Sequence, residues 1–376
     1  MKRVAAKPLR VLGVMSGTSI DGVDYALCDV SEYAVRVRKL WRAEFPAKLQ
    51  ERLHAAATGA CSAHELGQLH HDLGRFYATH AQRGKDKPQL AGLHGQTVYH
   101  NPHPKAPATI QIGEPAWLAE ALRVPVVSNF RSADLAAGGQ GAPLATMFHK
   151  FVFGQRGKHV CVNNLGGISN ITSIDWRKGK ELRITAFDTG PANVLLDLAA
   201  RHFSRGRRTM DTDGSWAARG KVNERLVARW LRHVYFAAPP PKSTGRELFG
   251  EPFLKDALRQ MRGLSQFDAL ATLTALTARS IAGACESFLP SMPDRMILTG
   301  GGAANPVLKR YIAEALIGIS PSTVTLTCAD LGWPLESIEP AAFALLAWLR
   351  IHQRPGNLPR TTGASRAVLL GQITES

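Results

Sequence analysis

A short polar stretch near the beginning of the chain carries residue types that suit phosphate chemistry. Residues 11–30 read VLGVMSGTSIDGVDYALCDV, in which glycine, hydroxyl and carboxylate residues lie between two apolar runs. Glycines let backbone N–H groups approach phosphate oxygens, and hydroxyls add further donors. An ordinary hairpin turn requires one or two such residues. The stretch therefore predicts a ligand-binding turn between two strands, at 9–16 and 23–30.

Two further turns of this kind follow predicted strands later in the chain. One contains Asp188, Gly190 and Asn193 in FDTGPAN, and the other contains Gly300–Gly302 in LTGGGAAN. A carboxylate beside a phosphate requires either a bridging Mg²⁺ or a role as a base. Together the three turns predict a metal–nucleotide site, whereas any one of them alone could be an ordinary loop. The spacing GxxxxGK[ST] of a P-loop is missing from all three.

The elements around these turns indicate an α/β protein. Strands that end in glycine-rich turns are followed by helices, a plan that places ligands at the carboxyl ends of strands. Apolar residues at helical spacing predict helices within 46–86, at 266–288 and at 340–351. The length of 376 residues favours two domains. We expect a first domain at 1–133 plus 352–376 and a second at 134–351, with the C-terminal helix able to pack back on the first.

Composition narrows the class of protein further. The net charge of +16 favours anionic ligands, although scattered basic residues are also typical of a solvated basic surface. The five cysteines show no C-x-x-C spacing, which disfavours zinc binding and a disulfide framework and indicates a reducing, cytoplasmic compartment. No apolar run reaches the roughly 20 residues of a membrane span. We therefore expect no membrane partner and no nucleic-acid partner.

A series of blocks resembles, in order, the family of anhydro-N-acetylmuramic acid kinases. Between residues 13 and 364 these blocks include GVMSGTSIDGVD, GLHGQTVYH, TIQIGEPAWLAE, AAGGQGAP, NNLGGISNIT, FDTGPANVLLD, DTDGSWAARG, PPKSTGRELFG, LTGGGAANPVL and RPGNLPRTTGA. The resemblance implies the two-domain fold of sugar kinases, actin and heat-shock ATPases, with a ligand cleft between the domains. It also implies ATP and Mg²⁺ as cofactors.

The resemblance implies a specific reaction in the recycling of cell-wall peptidoglycan. Water opens the anhydro bridge of 1,6-anhydro-N-acetylmuramic acid, and the freed oxygen accepts the γ-phosphoryl group of ATP to give N-acetylmuramic acid 6-phosphate. Asp188 matches the catalytic base of the family. No cluster of protein residues is expected to hold the metal, which would enter with ATP near Asp21. Family members are often dimers, so a homodimer is expected.

The same resemblance assigns the residues that contact ATP and its phosphates. The first turn supplies most of them, and the two later turns supply the rest through their backbone. The expected set is Gly17, Thr18, Ser19, Ile20, Asp21, Gly22, Val23, Asp24, Gly190, Asn193, Gly300, Gly301 and Gly302.

Four residues are candidates for binding the sugar. Arg131 could pair with the lactyl carboxylate, or it could be a surface arginine. Glu339 matches a family glutamate expected near the sugar, but an acid at a helix N-terminus is equally consistent with the helix dipole. His94 and Gln96 could bind sugar hydroxyls or the acetamido group, and His94 could instead be a buried, hydrogen-bonded histidine. Asn129 stands where the family generally has aspartate, which could leave Arg131 less well anchored.

Two other functions compete with this one. An ordinary sugar kinase of the same fold would use Asp188 to deprotonate a sugar hydroxyl rather than water. A basic binding protein that has lost catalysis would bind anions without turning over ATP. The presence of Asp188 and of the complete GTSIDGVD turn disfavours the binding protein.

Overall fold

The structure is a computed structural model that describes residues 7–83, 86–103, 105–179 and 181–376. The chain folds into two compact units. Unit 1 comprises Met1–Val152 and Glu336–Ser376, and unit 2 comprises Phe153–Leu335.

Strands occupy thirteen segments of the described residues. In chain order they are β1 (Leu9–Met15), β2 (Gly22–Val30), β3 (Val35–Glu44), β4 (Leu90–Leu93), β5 (Gln96–Asn101), β6 (Ala108–Ile112), β7 (Val126–Ser128), β8 (His159–Leu165), β9 (Ile168–Asp175), β10 (Arg183–Pro191), β11 (Arg295–Thr299), β12 (Val324–Thr327) and β13 (Gln372–Thr374).

Helices connect most of these strands. The α-helices are α1 (Ala47–Ala57), α2 (Ala63–Ala81), α3 (Pro115–Leu122), α4 (Ser132–Ala136), α5 (Ala145–Phe153), α6 (Asn193–Phe203), α7 (Glu224–Trp230), α8 (Val234–Ala237), α9 (Arg246–Phe249), α10 (Glu251–Gln260), α11 (Gln266–Phe288), α12 (Pro306–Ile319), α13 (Ile338–Ile351) and α14 (Pro359–Thr362). Short 3₁₀ helices lie at Thr212–Gly214, Ala217–Arg219, Gly301–Ala304, Ala329–Leu331 and Leu335–Ser337. Among the described residues, no helix combines the length and the apolar character that a membrane crossing requires.

The helical predictions are confirmed for 266–288, and α13 begins two residues before the predicted 340. The segment 46–86, in which helices were predicted, contains two, α1 and α2. Ser62 begins the second with a capping box, in which its side chain accepts from the backbone of Glu65 and the Glu65 side chain accepts from the backbone of Ser62. Gly59, at φ +73°, lies in the turn between the two helices.

The sheet of unit 1 has the order β13-β7-β4-β1-β2-β3. Strands β1, β2 and β3 form an antiparallel meander, and β4 and β7 continue the sheet parallel to β1. The carboxyl ends of β1, β4 and β7 therefore lie along one edge of the sheet. Strands β5 and β6 form a separate two-stranded ribbon.

The sheet of unit 2, β10-β9-β8-β11-β12, repeats this arrangement. Strands β8, β9 and β10 form an antiparallel meander, and β11 and β12 follow parallel to β8. The core of unit 2 is built around α11, which packs on α6, α7, α12 and β10.

In unit 1, α13 packs directly on the strands β1, β2 and β4. Two strand glycines permit this close approach. A Cβ at Gly13 would lie 1.7 Å from the carbonyl oxygen of Pro340, and a Cβ at Gly92 would lie 2.3 Å from that of Phe343. The α13 backbone can therefore lie this close to the sheet because positions 13 and 92 are glycines, which have no side chain.

The two units differ in their bounds from the predicted domains. They divide at 152/153 and 335/336, whereas the sequence led us to expect boundaries at 133/134 and 351/352. The physical reason at the second boundary is that α13 buries its apolar residues on the sheet of unit 1. At the first boundary, α4 and most of α5 remain in unit 1.

Candidate active site

The polar turn of unit 1 lies between β1 and β2, as predicted. Thr18 and Ser19 are exposed, and the backbone N–H groups of Gly17, Thr18 and Ser19 donate no hydrogen bond within the described part of the chain. Three consecutive backbone donors and the Thr18 hydroxyl are thus available to an anion. Ile20, by contrast, adopts φ +56° and is buried in the core together with Val23. Those two residues could contact a ligand only through their backbone.

The two aspartates of this turn share one arginine from the neighbouring strand β3. Arg42 forms ion pairs with Asp21 at 2.7 Å and with Asp24 at 3.0 Å. Ser19 also donates a hydrogen bond to Asp21 at 2.8 Å. Burial raises the pKa of Asp24 above its ordinary value, with Arg42 opposing the rise. Sequence reasoning missed Arg42, which lies 18 residues beyond Asp24 and reaches it only through the β2–β3 pairing.

His94 and Gln96 follow β4, beside the carboxyl end of β1. The backbone N–H of His94 donates to the carbonyl of Val14 at 3.0 Å. The side chain of Gln96 is fully buried, and its Nε2 donates to the carbonyl of Gly17 at 3.1 Å. Its Oε1 has no hydrogen-bond partner among the described residues. Gln96 therefore contacts the polar turn, and its Oε1 is a buried acceptor that no described group satisfies.

Arg131 is half-buried and held in place from two sides. It donates from Nη1 to the carbonyl of Gly141 at 2.9 Å and from Nη2 to Nε2 of His94 at 3.0 Å. The other ring nitrogen of His94 donates to the carbonyl of Gly95 at 2.7 Å. The imidazole is therefore neutral, with its proton on Nδ1. Of the two readings of His94, the structure favours the buried, hydrogen-bonded histidine, which here orients Arg131.

Charge and burial set the protonation states of this group. Burial, with help from Arg131, lowers the pKa of His94 to about 3. Burial lowers the pKa of Arg131 to about 10, and Glu339 opposes that change. The protein packed around the Glu339 carboxyl raises its pKa, Asp24 adds to the rise, and Arg131 opposes it. His94 is thus neutral, while Arg131 keeps its positive charge at neutral pH.

Asn129 does not act as the anchor of Arg131. It adopts φ +54°, and its Oδ1 accepts a hydrogen bond from the Ser132 hydroxyl. The bonds that hold Arg131 come instead from His94 and Gly141. Arg131 is therefore held without a hydrogen bond from Asn129 among the described residues.

In unit 2, Asp188 lies near the carboxyl end of β10, where a register shift separates it from Gly190. Its Oδ2 accepts a hydrogen bond from the backbone N–H of Thr244 at 2.9 Å. Burial raises the pKa of Asp188 to about 6, the Thr244 N–H opposes the rise, and Glu247 adds to it. A half-buried carboxylate that titrates close to neutrality is suited to accept a proton.

The backbone of Asp188 is fixed by a segment that sequence reasoning did not connect with it. The Tyr235 hydroxyl donates to the Asp188 carbonyl at 2.8 Å, and the Asp188 N–H donates to the Lys242 carbonyl at 3.1 Å. The Lys242 ammonium points inward, to the carbonyls of Tyr235 and Phe236. The Lys242 ammonium is therefore bound by carbonyl groups of the protein itself. Tyr235 and Lys242 lie about fifty residues beyond Asp188 in the chain, so no local sequence pattern could indicate these contacts.

The glycines of the two turns in unit 2 are explained largely by packing within the protein. A Cβ at Gly190 would lie 2.8 Å from the Phe236 ring, and a Cβ at Gly300 would lie 2.2 Å from Oδ1 of Asn164. A Cβ at Gly302 would lie 2.8 Å from Oδ1 of Asn193, which itself donates from Nδ2 to Leu165. Within the triglycine turn Gly300–Gly302, only Gly301 has open space where a Cβ would lie. Its role against a nucleoside stays a prediction.

The predicted residues thus gather at one sheet edge in each unit. In unit 1 the polar turn, His94, Gln96 and Arg131 follow the adjacent strands β1, β4 and β7. In unit 2 the Asp188 turn and the triglycine turn adjoin through Asn193 and Gly302. Within the described ranges, no group of three or more His, Cys, Asp or Glu residues could hold a metal ion.

Each of the two α/β units has a sheet in which an antiparallel meander is extended by parallel strands. Each also has glycine-rich turns at the carboxyl ends of its parallel strands. This is the two-domain fold class of sugar kinases, actin and heat-shock ATPases. The sequence model of the family described as "Anhydro-N-acetylmuramic acid kinase" matches residues 9–376. The chain belongs to the anhydro-N-acetylmuramic acid kinase family.

Curated relatives match nearly end to end. A protein from Picosynechococcus sp. is 40% identical, covering 97% of this chain and 99% of its own length. A protein from Microcystis aeruginosa is 41% identical, and the match covers 96% of this chain and 99% of that protein. A protein from Trichormus variabilis is 42% identical, and the match covers 99% of this chain and 98% of that protein. Each is named anhydro-N-acetylmuramic acid kinase.

Solved structures are more distant. A ROK family glucokinase from Streptomyces griseus, in complex with glucose and AMPPNP, is 16% identical, covers 90% of this chain and 99% of its own, and has a TM-score of 0.42. The activator of 2-hydroxyisocaproyl-CoA dehydratase from Clostridium difficile, with bound ADPNP, is 10% identical, covers 92% and 96%, and has a TM-score of 0.43.

Proposed function

We propose that the chain uses ATP and water to convert 1,6-anhydro-N-acetylmuramic acid into N-acetylmuramic acid 6-phosphate, a step of peptidoglycan recycling. The observation that carries this proposal is the family match over residues 9–376. Relatives about 40% identical over nearly the whole chain, all named for this activity, support it. The half-buried carboxylate of Asp188 supplies the chemistry that the reaction requires.

Asp188 acts as the general base. Its carboxylate takes a proton from a water molecule, whose oxygen forms the new bond to the anomeric carbon of the sugar. The bond from that carbon to the bridging oxygen breaks, and the freed oxygen remains at C6. Because positive charge develops on the ring as the bridge opens, a neighbouring carboxylate also stabilises the transition state. With its pKa raised to about 6, Asp188 is mostly ionised at neutral pH.

The polar turn of unit 1 fits the phosphates of ATP. The N–H groups of Gly17, Thr18 and Ser19 have no acceptor among the residues described, and the Thr18 hydroxyl is exposed. An anion would satisfy these donors, and the arrangement needs no lysine. When bound, ATP supplies the γ-phosphoryl group for the oxygen freed from the bridge. The backbones of Gly190, Asn193 and Gly300–Gly302 are the proposed ATP contacts of unit 2.

The residues around Asp21 fit a directly bound Mg²⁺ less well. The Asp21 carboxylate already forms an ion pair with Arg42 and accepts a hydrogen bond from Ser19. A cation would have to compete with the guanidinium for the same oxygens. We therefore assign the metal to the nucleotide and derive no catalytic step from a protein–metal bond.

The sugar is recognised by polar groups of unit 1. Arg131 keeps its charge and is fixed by His94 and Gly141, so it suits the lactyl carboxylate. The unpartnered Oε1 of buried Gln96 suits a hydroxyl or the acetamido N–H. Glu339, with its raised pKa, is the proposed acceptor for a second sugar hydroxyl.

A substrate comparison tests the function. The full chain is incubated with Mg-ATP and, separately, with glucose, N-acetylmuramic acid and 1,6-anhydro-N-acetylmuramic acid. We expect turnover of the anhydro sugar and a product heavier by one phosphate group and one water. Turnover of glucose alone would identify an ordinary sugar kinase. Binding of ATP or polyanions with no turnover of any sugar would indicate a protein that only binds.

Two further properties are proposed from the family. The protein acts in the cytoplasm, and it forms a homodimer. Light scattering of the purified full chain checks the second property, since a dimer has twice the mass of the 40.8 kDa protomer. A mass equal to that of the protomer at micromolar concentration would contradict it.

A further inference from the structure

The segment 234–244 of unit 2, which we call the strap, is joined to Asp188 by three hydrogen bonds. The Tyr235 hydroxyl donates to the Asp188 carbonyl, and the Asp188 N–H donates to the Lys242 carbonyl. At the end of the strap, the Thr244 N–H donates to the Asp188 carboxylate at 2.9 Å. The ring of Phe236 occupies the space that a side chain at Gly190 would need. The strap therefore fixes both the backbone and the carboxylate of Asp188.

The side chain of Lys242 ties the two ends of the strap together. Its Nζ donates to the carbonyls of Tyr235 at 3.1 Å and of Phe236 at 3.3 Å. The ammonium also lies over the rings of Tyr235, at 4.8 Å, and of Phe288, at 4.4 Å. Burial lowers the pKa of Lys242. The ammonium of Lys242 is bound by two carbonyls and two aromatic rings of the protein, which indicates a structural role.

Lys242 reaches the Asp188 carboxylate only through the backbone. Within the described residues, no hydrogen bond or ion pair joins its Nζ to Asp188. The groups that act on the carboxylate are the Thr244 N–H and the charge of Glu247, while the Tyr235 hydroxyl bonds the carbonyl of Asp188. Loss of the lysine would therefore act on Asp188 by releasing Thr244 and not by removing a neighbouring charge.

We propose that Lys242 is a positioning residue, which closes the strap on itself and thereby holds the Thr244 N–H against the Asp188 carboxylate. The catalytic consequence rests on the proposed function, because it takes Asp188 as the base. The position of the carboxylate does not depend on that function. When the strap is closed, the Thr244 N–H keeps the Asp188 carboxylate in one orientation before the substrate binds.

The consequence of losing Lys242 follows from the hydrogen bond that it secures. The Thr244 N–H stabilises the ionised form of Asp188 and so lowers its pKa. When Lys242 no longer closes the strap and the carboxylate stays buried, this bond weakens and the pKa of Asp188 rises. Entry of water to the carboxylate would act in the opposite direction, because burial is the largest cause of the raised pKa. Hydrogen bonds to charged groups are worth enough that the shift should be about one pH unit. The fraction of ionised base near pH 6 then falls several-fold.

The test is a carboxyl titration of the full chain labelled with ¹³C at aspartate Cγ. The Asp188→Asn spectrum identifies the resonance of Asp188. We compare the native chain with Lys242→Met, which keeps an unbranched apolar side chain against the rings, and with Lys255→Met, which removes an exposed lysine from α10 of the same unit. We expect the Asp188 midpoint to rise by about one pH unit in Lys242→Met and to stay unchanged in Lys255→Met.

A kinetic measurement adds a readout that general loosening of the fold would not move. The acid limb of the kcat profile should shift upward with the carboxyl titration, while a purely structural defect lowers kcat equally at every pH. If Lys242→Met fails to fold, Lys242→Gln keeps a polar donor and should shift the midpoint in the same direction by less. An unchanged or lowered Asp188 midpoint in either folded variant overturns the proposal. If the native chain lacks turnover of the anhydro sugar, the proposed function fails while the titration still decides the role of Lys242.

Discussion

In the proposed function Asp188 is the general base, so its surroundings would set the pH range in which the protein works. Burial and Glu247 raise its pKa to about 6 against the opposing Thr244 N–H. A general base acts only when it is ionised, and its ionised fraction increases as the pH rises through that value. We therefore expect kcat to rise from low pH with a midpoint near 6 and to level off above about 7. A kcat that stays flat across this range, measured at saturating substrates, would contradict the assignment.

The role of Arg131 can be tested against the chemistry of the sugar itself. Lysine at this position keeps the charge but loses the fork that His94 and Gly141 hold. For Arg131→Lys we expect KM for 1,6-anhydro-N-acetylmuramic acid to rise about tenfold or more, with a smaller change in kcat. Steady-state kinetics at saturating ATP measure both quantities.

The matched control for this prediction is a substrate that lacks the carboxylate. With 1,6-anhydro-N-acetylglucosamine, native chain and Arg131→Lys should have similar KM values, because the interaction removed by the substitution is already missing. An equal increase in KM with both sugars would show that Arg131 does not bind the lactyl group. Arg36→Met, at an exposed position of β3, should leave both values unchanged.

At the scale of elements, the contact between α13 and the sheet of unit 1 depends on strand glycines. A Cβ at Gly92 would lie 2.3 Å from the Phe343 carbonyl and 2.9 Å from the Ala347 side chain. Gly92→Ala must displace the helix, so we expect the free energy of unfolding to fall by about 1–3 kcal/mol. Urea denaturation of the full chain measures the change.

A second glycine of unit 1 provides a control with the opposite sign. Gly67 lies within α2, and a Cβ there would meet no atom within 4 Å. Gly67→Ala should therefore stabilise the protein by about 0.5–1 kcal/mol, because alanine is the better helix former. If Gly92→Ala were also neutral or stabilising, the close approach of α13 to β4 would be wrong.

Local sequence patterns predicted elements better than they predicted the partners of those elements. Alternation and helical spacing identified the first hairpin and α11, since each depends on residues close in the chain. The apolar surface of α13 predicted a buried helix. The structure packs it on unit 1, as expected for the C-terminal helix, although the predicted boundary at 351/352 assigned it to the second domain. The polar turn and the turn that contains Asp188 were predicted from residue type, and the role of Asp188 as a base was predicted from the family resemblance. Arg42, Tyr235 and Thr244 were missed because strand pairing and the path of the strap bring them into place.

At the scale of the whole molecule, the extent of each unit makes a prediction about fragments. Unit 2 is continuous from Phe153 to Leu335 and contains its own hydrophobic core. We expect a fragment of residues 153–335 to fold alone and to unfold cooperatively on heating. Circular dichroism during a temperature ramp checks this expectation.

The boundary expected from sequence provides the comparison fragment. Residues 134–351 would include α13, whose apolar residues are buried on strands that this fragment lacks. We expect it to aggregate or to bind an apolar dye, unlike 153–335. If the longer fragment folded and the shorter one did not, the division at 335/336 would be wrong. Sequence alone could not place this boundary, since no linker composition marks it.

The most direct test of the central claim is to run the reaction in H₂¹⁸O and to locate the label in the product. If water attacks the anomeric carbon, one ¹⁸O lies at the anomeric hydroxyl of N-acetylmuramic acid 6-phosphate and none in the phosphate. We also expect Asp188→Asn to form this product at least about a hundredfold more slowly. Product without ¹⁸O at the anomeric carbon, or equal rates for the two chains, would contradict the proposal that Asp188 activates water.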